Sequence, residues 1–126
     1  MEVILDTPPA RGPLSGICAC LSRLNTTHLV VLGIDLPRMN LEHLHMLLSL
    51  ATSGRSLFPL NRNYFEPLCA IYAKSAAPFA SANSDGSLQH LAQQLLREDL
   101  AITHPLSVEE QSLYFNLNTA EDLKTL

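Results

Sequence analysis

The sequence has no glycine-rich phosphate loop: no Gly-Lys-Ser or Gly-Lys-Thr ending occurs anywhere in its 126 residues, so it does not bind nucleotides as a P-loop protein. Basic residues are few. Eight Lys and Arg stand against twelve Asp and Glu, they are scattered singly, and the net charge is -4. No basic stripe exists, which argues against a nucleic-acid partner. No apolar run approaches the roughly 20 residues of a membrane helix. The first residues, Met1 to Asp6, lack the basic region and cleavage site of a signal peptide. Cysteine is scarce and odd in number. Cys18 and Cys20 point to different sides of a helix, so a bridge between them is not expected, and reduced thiols in the cytoplasm fit best.

What is present is enough for a core. Hydrophobic residues make up 47% of the chain, a globular rather than disordered composition. Val3 to Leu5 reads as a short strand ending at Asp6, and the prolines of 7–13 forbid regular pairing there. Leu14 to Leu24 reads as a helix. His28 to Ile34 is almost continuously apolar, the mark of a strand buried on both faces, and Pro37 stops it. Asn40 caps a helix with Leu41, Leu44, Leu47, Leu48 and Ala51 on one face, closed by Gly54. Leu57 to Leu60 and Phe65 to Tyr72 are strand candidates around an Asn61-Arg62-Asn63 turn, with Pro59 and Pro67 confining parts of each to an edge or irregular backbone. Ser87 caps a helix with Leu88, Leu91, Ala92, Leu95 and Leu96 inward. Leu100 to Thr103 and Leu113 to Phe115 are short strands, and Thr119 opens a last helix. Strands alternating with helices predict an α/β layered sheet.

Asp35 is the sharpest candidate for chemistry. It follows a buried strand directly, at the edge where open α/β sheets bind ligands, and a carboxylate there can hold Mg²⁺ and thereby neutralise a triphosphate. A helix-capping or loop aspartate is the competing reading. Asp6 repeats the arrangement and could accept hydrogen bonds from a base or ribose; a turn residue before Pro8 is its alternative. Gly12 to Gly16 precedes a helix and permits close backbone approach to an anion. Asn116 and Asn118 share one face of an extended segment, and amides suit a polar heterocycle, against plain loop bonding by Asn. Glu66, before Pro67, reads as an exposed edge residue. His43 and His45 lie on different helix faces and make poor joint metal ligands, His28, His90 and His104 show no ligand spacing, and Cys69 reads as core. No serine or cysteine has a neighbouring base that would mark a nucleophile.

Four segments in order carry a resemblance. Val3-Ile4-Leu5-Asp6 with Gly12-Pro13-Leu14-Ser15-Gly16 looks like a strand-Asp followed by Gly-Pro-Leu-x-Gly. Val31 to Pro37 looks like a metal-site strand ending in Asp-x-Pro. Glu66 to Tyr72 looks like Glu-Pro-Leu-x-Ala-x-Tyr. Phe115 to Leu123 looks like Phe-Asn-x-Asn-Thr-Pro-Glu-Asp-Leu, with Ala120 where proline is usual. Together they resemble the molybdenum cofactor guanylyltransferase family, within the nucleotidyltransferases. The resemblance implies a three-layer, Rossmann-like α/β nucleotidyltransferase fold. It implies transfer of GMP from MgGTP to the terminal phosphate of molybdopterin cofactor, with Asp35 carrying Mg²⁺ and touching the nucleotide, Asp6 on the nucleotide side, and Asn116 and Asn118 on the pterin side.

The family's opening signature, Leu-x-Gly-Gly-x-Ser-x-Arg-Met-Gly-x-Asp-Lys, does not occur in this sequence. The expectation is therefore a single domain over 1–126 that forms the C-terminal two-thirds of a nucleotidyltransferase domain, N-terminally truncated, feeble in GTP binding and inefficient alone. The resemblance also implies two strands between that of Val3 to Leu5 and that of Val30 to Leu32. Without them, a re-paired N-terminal strand or a gap beside His28 to Ile34 is expected. Two other function classes stay open: a non-catalytic subunit that holds molybdopterin or a molybdoenzyme assembly partner, and a related transferase using CTP or a sugar phosphate. A homo-oligomer is also open.

Overall fold

The structure, a computed structural model, describes residues 2–6, 13–33, 36–82 and 87–114. Among the described residues six strands form one sheet: β1 (Glu2–Asp6), β2 (His28–Gly33), β3 (Ser56–Asn61), β4 (Tyr64–Phe65), β5 (Cys69–Ala73) and β6 (Ala101–Pro105). Five α-helices accompany them among the described residues: α1 (Pro13–Ser22), α2 (Leu41–Leu50), α3 (Ala77–Ala82), α4 (Leu88–Arg97) and α5 (Val108–Gln111).

The sheet is mixed. Its order is β1-β2-β5-β3-β4, with β6 on the other side of β3. β1 runs parallel to β2, β5 runs antiparallel to β2 and β3, and β6 runs parallel to β3. So β1, β2, β3 and β6 share one direction, and their last residues, Asp6, Gly33, Asn61 and Pro105, line one edge.

Alternation along the strands divides the core in two. Leu29, Val31, Phe58, Ala70 and Tyr72 pack on one face against Leu14, Ile17 and Leu21 of α1, Ala80 of α3, and Leu91 and Leu95 of α4. Val30, Leu57, Cys69 and Ile71 pack on the other against Leu47 of α2 and Leu106 and Tyr114 beyond β6. Period-two alternation between two helical layers is what makes β2 apolar throughout. The expected three-layer α/β architecture is observed. Among the described residues no helix is long and apolar enough to cross a membrane.

Local signals fare well where they act locally. The Asn40 side chain accepts from the His43 N–H at 2.9 Å and Ser87 from His90 at 3.1 Å, so both expected caps form. Leu88, Leu91, Ala92 and Leu95 are buried as read. Of the two expected outcomes for the N-terminal strand, the structure has the re-paired one: β1 lies directly beside β2, with Val3 opposite Val30.

Several readings are corrected. Leu113 and Tyr114 are not a strand: Ser107 and Glu110 form a capping box that opens α5, and Ser112–Tyr114 continue as a 3-10 turn. Phe115 and the expected last helix lie outside the described residues. Pro59 sits inside β3, an inner strand, rather than at an edge. Its carbonyl accepts from the Glu66 N–H, so its missing donor faces the point where pairing passes from β5 to β4 and no partner needs one. Pro67 does fall in irregular backbone, splitting the expected Phe65 to Tyr72 strand. Gly54 does not close α2; that helix ends at Leu50, and Gly54 takes φ +76° in the turn into β3. On α2, Leu41 is 72% exposed, and His43 takes the inner line with Leu47, one turn on.

Candidate functional site

The ends of the parallel strands β1, β2, β3 and β6 lie along one edge, the place where α/β sheets bind ligands. Asp6 is the last residue of β1 and lies opposite Gly33, the last of β2. Asp35 follows Gly33 by two residues and lies outside the described residues, as do Asn116 and Asn118. The backbone therefore brings the carboxyl ends of β1 and β2 side by side.

Beyond β2, toward β3 and β6, this edge opens into a cleft of about 310 Å³. Arg38, from the segment after β2, lines it with Asn61 and Arg62 at the β3–β4 turn, Tyr64 of β4, and Gln111, Ser112 and Tyr114 after β6. Arg62 and Asn63 form a two-residue hairpin between the paired Asn61 and Tyr64. Arg62 takes φ +60°, a left-handed conformation that glycine usually supplies in such turns.

The walls of the cleft are held from behind. Glu66, read from sequence as an exposed edge residue, is half-buried, and its Oε2 accepts from Asn61 Nδ2 at 2.8 Å. Burial pushes its carboxyl above the usual range, and the Asn61 hydrogen bond only partly offsets this. The Tyr114 hydroxyl hydrogen-bonds His43 Nε2, and His43 Nδ1 lies 3.5 Å from Glu110 Oε2. Glu110 also accepts from the Ser107 N–H at 2.9 Å and sits 3.0 Å from His104 Nε2. Burial pushes His43 below the usual imidazole range, opposed by the Glu110 charge and helped by His104. For Glu110, burial acts upward, but the Ser107 and His104 hydrogen bonds outweigh it and its pKa is lowered.

The remaining candidates are structural. Cys69 is buried in the core as read, and burial pushes its thiol up to about 12. His28 bonds the Thr52 and Arg55 carbonyls through Nε2 and Thr27 through Nδ1. Cys18, Cys20 and Cys69 are all free thiols. Among the described residues no three His, Cys, Asp or Glu converge in a metal-ligand group. Sequence reasoning missed Arg38, Arg62, Tyr64, Glu66 and Tyr114. A signal existed for one of them: Arg62 sits in a two-residue turn between strands, where its exposure at a sheet edge is legible.

Comparison with known proteins completes the picture. The model of the MobA-like NTP transferase domain family matches residues 1–101. A probable molybdenum cofactor guanylyltransferase of Clostridium perfringens SM101 is 25% identical over 132 residues, covering 100% of this chain and 67% of that protein. One from Natronomonas pharaonis is 32% identical over 134 residues, covering 95% of this chain and 61% of that protein. The crystal structure of molybdopterin-guanine dinucleotide biosynthesis protein A from Archaeoglobus fulgidus superimposes with a TM-score of 0.62 at 31% identity, covering 89% of this chain and 59% of that one. A protein of Aquifex aeolicus, at 18% identity and a TM-score of 0.65, shares the fold over 84% of this chain and 56% of its own. The chain thus spans between half and two-thirds of the solved structures it matches. It belongs to the MobA-like NTP transferase domain family.

Proposed function

We propose that this member of the MobA-like NTP transferase domain family serves GMP transfer from MgGTP to molybdopterin cofactor, yielding the guanine dinucleotide form. The acceptor's terminal phosphate oxygen attacks the α-phosphorus of GTP. The bond from that phosphorus to the β-phosphate oxygen breaks, and pyrophosphate leaves. The acceptor is its own nucleophile, so the protein's part is positioning and charge stabilisation. This agrees with a chain in which no nucleophile-base pair is legible.

The observation that carries the reading is the alignment of the carboxyl ends of β1, β2, β3 and β6 along one sheet edge, in a chain whose residues 1–101 match the family's model. The Asp35 carboxylate would supply a hard oxygen donor of the kind Mg²⁺ takes. The ion would neutralise triphosphate charge at Asp35, with Asp6 on the nucleotide side and Asn116 and Asn118 on the pterin side. The free cysteines support a reducing, cytoplasmic setting.

The test is a GMP-transfer assay with GTP, Mg²⁺ and molybdopterin on the protein carrying this chain, wild type against Asp35→Ala. We expect loss of turnover with an unchanged circular dichroism spectrum. Near-normal turnover of the variant at saturating Mg²⁺ removes Asp35 from the mechanism. Molybdopterin binding with no transfer by the wild type turns the assignment to a non-catalytic assembly subunit.

A further inference from the structure

We propose that residues 106–114 form a strap on the α2 face of the sheet, that His43 is the latch holding it to α2, and that protonation of His43 releases the strap and with it one wall of the cleft. The inference stands apart from the proposed transfer.

The strap is fastened at few points. α5 buries none of its own residues, Val108 is 82% exposed, and the buried side chains are those at the two ends, Leu106 and Tyr114. Leu113 is partly buried between them. The polar ties that join the strap to α2 meet at one imidazole. His43 hydrogen-bonds the Tyr114 hydroxyl through Nε2 and turns Nδ1 to Glu110 Oε2 at 3.5 Å. Gln111, Ser112 and Tyr114 line the cleft, so whatever loosens the strap moves that wall.

Hydrogen-bond direction decides which form of His43 closes the latch. Burial pushes the Glu110 carboxyl up, but the Ser107 and His104 hydrogen bonds outweigh this and leave it a carboxylate, which can only accept. The proton of neutral His43 therefore sits on Nδ1, and the bare Nε2 accepts from the Tyr114 O–H. A second proton on the ring removes that acceptor. The tyrosine hydrogen must then turn away, and the acceptor beside it is the Cys69 sulfur, a weak one.

The new charge also has too little to pair with. His43 and His104 share one carboxylate, since His104 Nε2 already lies 3.0 Å from Glu110 Oε2. Glu66, which also acts on Tyr114, is favoured in its neutral form by burial and is committed to Asn61. The latched His43 side chain is 4% exposed, and burial opposes its charge. Released into water, the ring takes up a proton at its ordinary value, so acid favours the open strap. The side chains of His104 and Glu110, both 24% exposed, give the proton its way in.

The test is amide hydrogen exchange of the intact chain, followed by NMR as protection factors at pH 7 and pH 5.5. The reporter is the Gln111 N–H, which donates to the Ser107 carbonyl inside the strap at 3.0 Å. Its protection should fall about three- to eightfold, roughly eightfold being the limit for one proton gained on opening at the ordinary value of 6.5. Strap release exposes little surface, so this protection should barely respond to low urea, whereas global unfolding carries the full urea slope. His43→Gln, which can bond Tyr114 but does not titrate, should remove the fall and keep the pH 7 protection. Nitrogen spectra of the wild-type histidine rings at pH 7 check the latch without any substitution, and should show the His43 proton on Nδ1. Gln111 protection that ignores pH, a urea slope equal to that of global unfolding, a His43→Gln variant that keeps the wild-type fall, or a His43 proton on Nε2 overturns the inference.

Discussion

The Tyr114 hydroxyl and His43 Nε2 hydrogen-bond in the core across 71 residues of sequence, their rings meeting edge-on at 84° with centroids 5.2 Å apart. This contact fastens the segment after α5 to α2, and the same tyrosine forms a wall of the cleft. Tyr114→Phe leaves a buried ring nitrogen without its partner, at a cost of about 1–3 kcal/mol. We expect a melting temperature several degrees lower, read by differential scanning calorimetry. An unchanged melting temperature would mean that water enters and replaces the hydroxyl.

Stability should depend on acid through the same cluster. His43 has its pKa lowered chiefly by burial, so the unfolded chain, with its ordinary value of 6.5, takes up the proton first as pH falls. The contribution of neutral His43 is complete above about pH 6.5 and declines below it. Glu110, lowered in net by its hydrogen bonds, contributes above its ordinary 4.5 and loses that contribution as pH falls further. We expect the melting temperature to fall from pH 7 to 5.5. His43→Gln, which can still bond Tyr114 but does not titrate, should flatten that first decline. A variant with the wild-type slope would place the titration elsewhere.

Glu66 has the opposite sign. Its raised pKa means that the folded state holds the proton more tightly, a contribution present below the ordinary 4.5 and lost as pH rises through the folded value. Glu66→Gln imitates the protonated form and keeps a partner for Asn61. Its melting temperature relative to wild type should rise between pH 4.5 and pH 7. A difference independent of pH would show that the carboxyl titrates as it does in water.

Two glycines should respond oppositely to alanine. Gly54 sits at φ +76° with nothing within 4 Å of an added Cβ, so Gly54→Ala meets backbone strain alone and should cost about 1 kcal/mol. Gly16 lies inside α1, likewise with nothing within 4 Å, and Gly16→Ala should stabilise by about 0.5–1 kcal/mol. Urea midpoints at constant slope measure both. If Gly16→Ala stabilises the fold but lowers transfer activity, the helix start approaches a ligand through the space a methyl group fills.

What was legible in the sequence acts within a few residues. The Asn40 and Ser87 caps, the inward line of α4 and the two-faced burial of β2 each follow from a side chain's reach to the next turn or from strand period. The family motifs are equally local, which is why the layered fold and the nucleotidyltransferase family could be read from residues alone. The Ser107–Glu110 capping box was local too, and the alternative strand reading of Leu113 to Phe115 overlooked it.

The rest needed partners distant in the chain. His43 faces inward because Tyr114 and Glu110, brought in from beyond β6 on the same face of the sheet, give its ring nitrogens partners. Pro59 is tolerated in an inner strand because β5 stops and β4 begins opposite it. Glu66 can be half-buried because Asn61 reaches it across the hairpin. The cleft joins residues from three separated segments, and no spacing in the sequence brings Arg38, Arg62 and Tyr114 together. Amino-acid order sets local backbone preference and periodicity; which polar side chains can be buried, and which surround a shared space, is decided only when tertiary packing supplies their hydrogen-bonding partners.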